Sequence, residues 1–492
     1  MFIGRKQELS FLESRYSQSS GELIIVYGRR RIGKTETLLQ FCKDKNAVFF
    51  PCTECADATQ LQRFSQTLMQ KAVPGSGFIL NFSDWESAFR TFVHTSSSDQ
   101  KKRILVLDEF PYMVKGNPEI PSILQNLWDH EFKNQNIMVI LCGSSISFIE
   151  KELLGQKNPL YGRATGIYKM EPMNFYDAIQ FFPGYSDLDK VYLYSVLGGV
   201  PHYLNQFDPD LGLYDNILTR ILTKGSALFS ETEFLLHQEL RESAIYNDIL
   251  GAVASGCTRV NDISQKALIE NTAKTSVYLN NLQDLGLIRR EFSVDAGPKQ
   301  KANKNRGSYR LADQFFRFWY AFCQPQFTAL IDHRSDGILQ YIIKPGLHQY
   351  SSYIFEEICH QFVNKLSDMG KLPFWVAKIG RWTGKTTIRC KDDPDGYHTA
   401  ETEIDLLGIS FDGSQYLVGE CKFKNAPFSW SEYLDLKMKL LPLQSSHEFY
   451  YILFSQSGFD EKVLAQANQN DHLFLYSLHE IVHPELLEDK ND

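Results

Sequence analysis

The 492-residue chain has no run approaching the ~18 apolar residues of a membrane-spanning helix, so no membrane span is expected. Its N-terminus, MFIGRKQEL, lacks a basic region leading into an apolar stretch, so no secretory leader is expected. Cysteine is sparse: nine residues, odd in number and scattered, with Cys52-x-x-Cys55 unaccompanied by a second close pair. This excludes a disulfide framework, makes a closed zinc site an unfavoured reading, and fits free thiols in a reducing, cytoplasmic setting. Positive charge is not in excess: 51 Lys and Arg face 59 Asp and Glu, for a net charge of -8. That weakly opposes a chain coated in nucleic acid, although a local basic face can survive inside an acidic total. The 43% hydrophobic and 22% charged content excludes collagen-like, mucin-like and wholly disordered classes. At about 150 residues per domain, the length corresponds to roughly three domains.

Glu22–Tyr27 reads as a buried strand. It leads into Gly28-Arg29-Arg30-Arg31-Ile32-Gly33-Lys34-Thr35, followed by Glu36 and a helical pattern. G-x-x-x-x-G-K-T between a strand and a helix is a P-loop. Its glycines let the backbone approach a phosphate chain, and successive N–H groups at the helix start cradle it. Lys34 is expected to reach the β/γ-phosphates of ATP, and Thr35 to offer its hydroxyl to Mg²⁺. Ile104–Leu107 reads as a central parallel strand closed by Asp108 and Glu109. Asp108 is expected to hold Mg²⁺ through water, and Glu109 to orient the attacking water. Ile137–Cys142 is a further strand, and Ser144 and Ser145 at its end compete for a γ-phosphate-sensing role, or serve as a helix cap; of the two, Ser145 is the expected sensor. Arg163, in Tyr161-Gly162-Arg163 before a short strand, is a candidate for neutralising γ-phosphate charge, from a neighbouring subunit in a homo-oligomer, or else is a structural surface arginine.

These motifs, with Phe2-Ile3-Gly4-Arg5, Glu8-Leu9 and Gly198-Gly199-Val200-Pro201-His202-Tyr203-Leu204, resemble the prokaryotic AAA-type ATPases of the archaeal-ATPase branch, relatives of the signal-transduction ATPases with numerous domains. The resemblance covers about residues 1–235. It implies an α/β fold with a five-stranded parallel sheet, the acid-bearing strand next to the P-loop strand, and a helical lid over 186–235 after a core over 1–185. It also implies that Gly4 and Arg5 lie near the nucleotide base.

In the middle, 241–254, Val260–Gln265 and Asn271–Leu285 read as three helices, with Val277, Leu279, Leu282 and Leu285 apolar and Lys274, Thr275 and Ser276 able to project. Leu287–Arg290 and Ser308–Leu311 look like two strands of a wing. The order resembles a winged helix-turn-helix, placed at 236–312. Residues 241–310 hold 11 Lys and Arg against 7 Asp and Glu, a surplus of +4. Lys299, Lys301, Lys304, Arg306 and Arg310 crowd the wing and could contact DNA phosphates, or the module could serve only in protein packing. The aromatic run DQFFRFWYAF, inside a helical linker over 313–345, is read as packing rather than base stacking.

The last domain, 346–480, reads as an α-β-β-β-α-β order that opens with a long helix bearing Glu356 and Glu357. Phe374–Ile379 and Thr386–Cys390 are its first two strand-like runs. Glu420 and Lys422 share one strand face. With Asp405 on a preceding strand and Glu356 on the helix, they suit a metal and a scissile phosphate. Asp405 and Glu420 would be the metal ligands, and Lys422 would position water or steady developing charge. The set resembles the PD-(D/E)xK nuclease superfamily and the nuclease-like domain of unknown function that follows the ATPase in part of this family, with Ile404 where a proline is expected. Glu401 and Glu403 share the face of Asp405 and could assist. Two further patterns are set aside. Gly380-x-x-x-Gly384-Lys385-Thr386 is one residue short of a P-loop and is expected to connect two strands. His479-Glu480-x-x-His483 has the letters of a zinc protease, which needs the motif on a helix with a third ligand well downstream, but Pro484 follows directly and the sequence runs only to Asp492. Two readings remain: an ATPase coupled to a module that binds DNA and could also cleave it, or a nucleotide-gated DNA- or protein-binding switch with an inactive last domain.

Overall fold

The computed structural model describes residues 2–72, 81–94, 101–303, 306–389, 397–440 and 447–490. Lys304 of the expected basic cluster and Cys390 lie outside the described residues. The chain divides into two compact units, Met1–Met173 with Val200–His202, and Asn174–Gly199 with Tyr203–Asp492.

The first unit is built on a parallel sheet of five strands: β1 (Glu22–Tyr27), β2 (Ala47–Pro51), β3 (Arg103–Asp108), β4 (Ile137–Gly143) and β5 (Gly166–Lys169). Both faces of the sheet are covered, so β1 and β4 are buried at every residue. Alternation sends Leu23, Ile25, Leu105, Leu107, Val139 and Leu141 into one core. Ile24, Val26, Ile104, Val106, Met138 and Ile140 enter the other. The strand order is β2-β3-β4-β1-β5. This corrects the expected adjacency of the acid-bearing and P-loop strands, because β4 lies between them, pairing Ile140 with both Ile24 and Val106. An uncharged, doubly buried strand such as IMVILCG suits the middle of the sheet. Its insertion brings the end of β4 between the P-loop and the acid pair.

In the second unit, helices Ser243–Ala254, Val260–Lys266 and Thr272–Asp284 precede an antiparallel pair, β6 (Ile288–Glu291) and β7 (Ser308–Leu311). The third helix buries Leu279 and Leu282 as expected, but Thr275 and not Val277 joins them on the inward stripe. Thr275 is fully buried, donating to Ser264 Oγ at 3.0 Å, while Val277 is 57% exposed. The helical period explains this, since Thr275, Tyr278, Leu279 and Leu282 fall on one stripe and Val277 does not. Phe315, Phe316 and Phe318 of the aromatic run are buried core residues, as a packing role requires.

The 25-residue helix Lys344–Asp368 then leads into a mixed sheet of order β12-β11-β10-β9-β8. Its strands are β8 (Val376–Arg389), β9 (Tyr397–Ser410), β10 (Gln415–Lys422), β11 (Glu448–Ser455) and β12 (Leu473–Ser477). The first three are antiparallel neighbours, while β10-β11 and β11-β12 are parallel. The Gly380–Thr386 segment does not connect two strands; it lies inside β8, where Gly384 pairs with Thr402 and Lys385 with Glu401. Two glycines and a lysine suggested a break, but Gly384 has a packing reason. A Cβ there would fall 2.2 Å from the Trp382 ring, whose Nε1 donates to Asp295 at 3.0 Å.

Candidate functional sites

The loop after β1 owes its shape to glycine. Gly28 has φ +154°, and a Cβ there would lie 2.4 Å from the Met170 carbonyl. Gly33, at φ +86°, begins the helix Lys34–Cys42 in a left-handed conformation. Between them Arg31 is also left-handed, at φ 73°. Lys34 is buried and folds back on the loop, its Nζ donating to the Gly28 and Arg29 carbonyls at 2.9 Å each. Burial pushes its pKa below the usual lysine value. Thr35 Oγ1 donates to Asp108 Oδ2 at 2.7 Å, joining the helix start to the end of β3.

Glu109 stands beside Asp108 with φ 52° and begins a helix. Its Oε2 accepts from Ser144 Oγ at 2.8 Å and Ser144 N at 3.2 Å. The serine on the acid is therefore Ser144, not Ser145, whose carbonyl accepts from Ile149 N. Ser144→Ala is expected to lower kcat for ATP turnover about tenfold with KM unchanged, because it unfixes a carboxylate rather than a binding contact. Steady-state kinetics would read this directly.

Arg5 sits under the same loop. Its guanidinium donates to the Ile32 carbonyl at 2.5 Å, the Glu171 carbonyl at 2.8 Å and Glu8 Oε1 at 2.7 Å, while Nε is buried without a partner among the described residues. Gly4 and Arg5 are both left-handed, at φ 68° and 60°. Arg29 is buried, Arg30 donates to the Tyr112 hydroxyl at 3.0 Å, and Glu36 is exposed in the first helical turn. Arg163 is tied to Asp129 by three hydrogen bonds of 2.7–3.1 Å and to the Pro159 carbonyl at 2.9 Å. That pairing holds Asp129 below the usual carboxylate range and matches the structural alternative for this arginine.

The residues here fit a nucleoside triphosphate with its metal. Backbone donors at a helix start, a buried lysine bonded to loop carbonyls, and a hydroxyl–carboxylate pair form a donor set for phosphate and for a hard cation.

A second polar cluster lies in the second unit. Glu420 on β10 is buried and accepts from Lys422 Nζ at 2.7 Å and from Lys439 Nζ at 3.1 Å on both oxygens. Asp405 on β9 accepts from Cys421 N at 3.0 Å, and its carbonyl takes a bond from His360 Nε2 at 2.8 Å. Glu356 is bonded to Arg381, which also bonds Glu403. Burial, then the charge of Asp405, pushes Glu356 up to about 7. Burial, then Glu420, pushes Asp405 up to about 6.

The three carboxylates thus sense one another, yet each is turned to a cation or a backbone donor. Among the described residues, the cluster whose three metal-binding side chains lie within 4.8 Å of one another is a different one, Asp187, His479 and His483. Lys439 and Arg381 were not expected. They come from the end of helix Trp430–Lys439 and from β8, and no spacing rule ties them to Glu-x-Lys.

A cavity of ≈ 250 Å³ opens beside Glu356 and Arg381, lined also by Arg289, Tyr353 and Glu357. A larger one of ≈ 460 Å³ runs from Glu403 and Arg381 to Arg259, Arg306 and Arg310 of the three-helix and β6/β7 segment. Arg310 is paired with Glu291 at 2.9 Å, and Arg289 bonds both Glu291 and Glu357. Lys299 and Lys301 stand exposed on the helix Pro298–Ala302.

Residues 2–207 match the family described as an ATPase domain predominantly from Archaea, and 319–434 match a family described as archaeal and bacterial proteins of unknown function. Over 458 residues the chain is 30% identical to the uncharacterized protein MJECL04 of Methanocaldococcus jannaschii, covering 92% of this chain and 95% of that one. It is 49% identical over 45 residues to the uncharacterized ATP-binding protein MJ0423 of the same organism, 9% of this chain and 76% of that one. Among solved structures, the Walker-type ATPase PABY2304 of Pyrococcus abyssi aligns with a TM-score of 0.49 and 19% identity, covering 65% of this chain and 96% of that one. No helix among the described residues is long and apolar enough to cross a membrane.

Proposed function

Because the chain belongs to one family with MJECL04, and carries an archaeal-type ATPase domain followed by a domain of unknown function, we propose that it is an Mg²⁺-dependent ATPase coupled to a DNA-binding and DNA-cleaving module. The observation that carries the ATPase is the meeting of Lys34, Thr35, Asp108, Glu109 and Ser144 at the ends of three neighbouring strands and one helix. In this reading Lys34 exchanges the Gly28 and Arg29 carbonyls for the β/γ-phosphates. Thr35 and Asp108 would hold Mg²⁺, which would supply neutralising charge to the phosphates. Glu109, steadied by Ser144, takes the proton of the attacking water.

DNA binding is proposed for the three helices and the β6/β7 pair, a helix-turn-helix order with a wing. Arg259 and Arg306 on the larger cavity, with Lys299 and Lys301 nearby, would meet phosphates. Such contacts give affinity that falls steeply with salt. Asp405 and Glu420 would hold the metal for cleavage, with Lys422 on the scissile phosphate and Glu356 in support.

A specific observation favours a second reading, a nucleotide-gated switch with an inactive last domain: Glu356, Asp405 and Glu420 are each satisfied separately. One assay separates the two. Purified protein is incubated with plasmid and single-stranded DNA, with Mg²⁺ or Mn²⁺, with and without ATP, beside Lys422→Ala and Lys34→Ala. Metal-dependent cutting lost in Lys422→Ala is expected. Binding without cutting under every condition would leave the switch standing and remove the nuclease.

A further inference from the structure

The structure assigns a function to the His479-Glu480-x-x-His483 motif that its sequence context did not: we propose a structural binding site for a divalent transition metal, Zn²⁺ foremost, formed with Asp187. The missing third ligand lies almost 300 positions upstream, at the start of helix Asp187–Leu197 in the same compact unit. Asp187 Oδ2 faces His479 Nδ1 at 2.8 Å, and its Oδ1 faces His483 Nε2 at 2.9 Å. All three ligand-bearing side chains lie within 4.8 Å. The two histidines are four apart across one helical turn, with ring centroids 4.8 Å apart.

The hydrogen-bond pattern suits a cation at the centre. His483 Nδ1 lies 3.0 Å from Glu485 Oε1 while Nε2 faces Asp187. A neutral imidazole has one N–H to give. Given to Glu485, it leaves the Nε2 lone pair directed to the same point as Asp187 Oδ1, where a metal cation can take the place of the second proton that an imidazolium would share with the carboxylate. A metal-binding histidine whose other nitrogen is held by a carboxylate is the arrangement that orients imidazole ligands in metal sites. The site is not rich in negative charge, since Lys190 Nζ stands 3.8 Å from Asp187 Oδ1. Two imidazoles, one carboxylate and a nearby ammonium disfavour Mg²⁺ and Ca²⁺, which need several anionic oxygens, and favour Zn²⁺, Co²⁺ or Ni²⁺.

The role is structural rather than peptidase-like. In a zinc protease, the glutamate of the motif serves as base. Here Glu480 Oε2 accepts from Ser477 N at 2.9 Å and Ser477 Oγ at 2.8 Å, closing the N-terminal cap of the short helix Leu478–Val482. The metal would instead staple that helix to Asp187–Leu197, along a seam where the Tyr176 hydroxyl already donates to the Ile481 carbonyl at 3.1 Å. Because the three ligands, so distant in sequence, meet only in the folded chain, the free energy of metal binding adds to the stability of the fold.

The full chain, stripped with EDTA and exchanged into metal-free buffer, is titrated with Zn²⁺ against a chromophoric chelator. The same preparation is titrated with Co²⁺, and melting is followed with and without added Zn²⁺. The expected result is one site that raises the melting temperature and gives a Co²⁺ spectrum free of thiolate charge transfer. It is weakened at least about tenfold by His483→Ala, by Asp187→Asn and by His479→Gln, and about tenfold by Glu485→Gln. His479 is 65% exposed, so His479→Gln leaves the core intact even where substitution of the half-buried Asp187 or His483 fails to fold. Absence of Zn²⁺ binding by the wild type, a thiolate signature, or a site that survives His479→Gln undiminished would overturn the assignment.

Discussion

Lys34→Ala protein is expected to turn over ATP about 10²–10³-fold more slowly than wild type and to lose most of its nucleotide affinity. Glu109→Gln is expected to lose turnover while still binding ATP. The difference follows from where each side chain sits. Lys34 is buried against the loop, and burial has already lowered its pKa. Its two carbonyl partners are poor substitutes for phosphate anions, so nucleotide binding replaces neutral contacts with charge-assisted ones. Removing a fixed cation aimed at developing charge costs about 10²–10³ in rate. Glu109 bonds Ser144 just beyond β4 and lies outside the Gly28–Thr35 loop, so its replacement by glutamine keeps the loop's own phosphate donors in place. ATP affinity measured by fluorescent-analogue displacement, beside phosphate release, separates the two. Undiminished turnover in Glu109→Gln would mean that another group activates the water.

How much of this was legible in the sequence depends on whether the chemistry is contiguous. The P-loop is eight consecutive residues whose strand and helix flank it directly, and the acid pair closes an unbroken apolar run. Strand order was not legible, because β1, β3 and β4 are apolar alike and nothing local states which lies in the middle. That one fact decides why Ser144 meets Glu109. The last domain repeats the lesson. Asp405, Glu420 and Lys422 could be picked by alternation on strands, whereas Lys439 and Arg381 reach the carboxylates from elements set by tertiary packing. Gly380 and Gly384 read as punctuation because a glycine in a strand is uncommon, and the Trp382 ring that explains Gly384 is invisible without coordinates. Asp187 is the extreme case, since no spacing rule joins it to a motif almost 300 residues away.

The charge balance around Asp405 carries the second large effect. Asp405→Asn is expected to stabilise the metal-free protein by about 2 kcal/mol at pH 8 and to change almost nothing at about pH 3, below the ordinary carboxylate value. In the folded protein Asp405 titrates near 6 against an ordinary 3.8, and Glu356 near 7 against 4.5. A carboxyl whose folded pKa is raised binds more protons folded than unfolded between those values, so stability is greatest below about pH 4 and falls as pH rises through about 7. A tenfold difference in proton affinity between the folded and unfolded chain corresponds to about 1.4 kcal/mol, and mutual repulsion shared with Glu420 and Glu356 keeps the single-site gain below the sum. Asparagine keeps the oxygen that accepts from Cys421 N while removing the charge. Denaturant melts at the two pH values, with EDTA and then with Mn²⁺, would read this. A variant less stable than wild type at pH 8 would show that the ionised carboxylate is held favourably and that its repulsion from Glu420 is overstated. The metal arm bears on function. If Asp405 and Glu420 form a metal site, Mn²⁺ relieves the same repulsion and stabilises wild type at pH 8 but not Asp405→Asn. If Mn²⁺ stabilises neither, the buried acids are a strained relic balanced by Lys422, Lys439 and Arg381, and the last domain acts by binding alone.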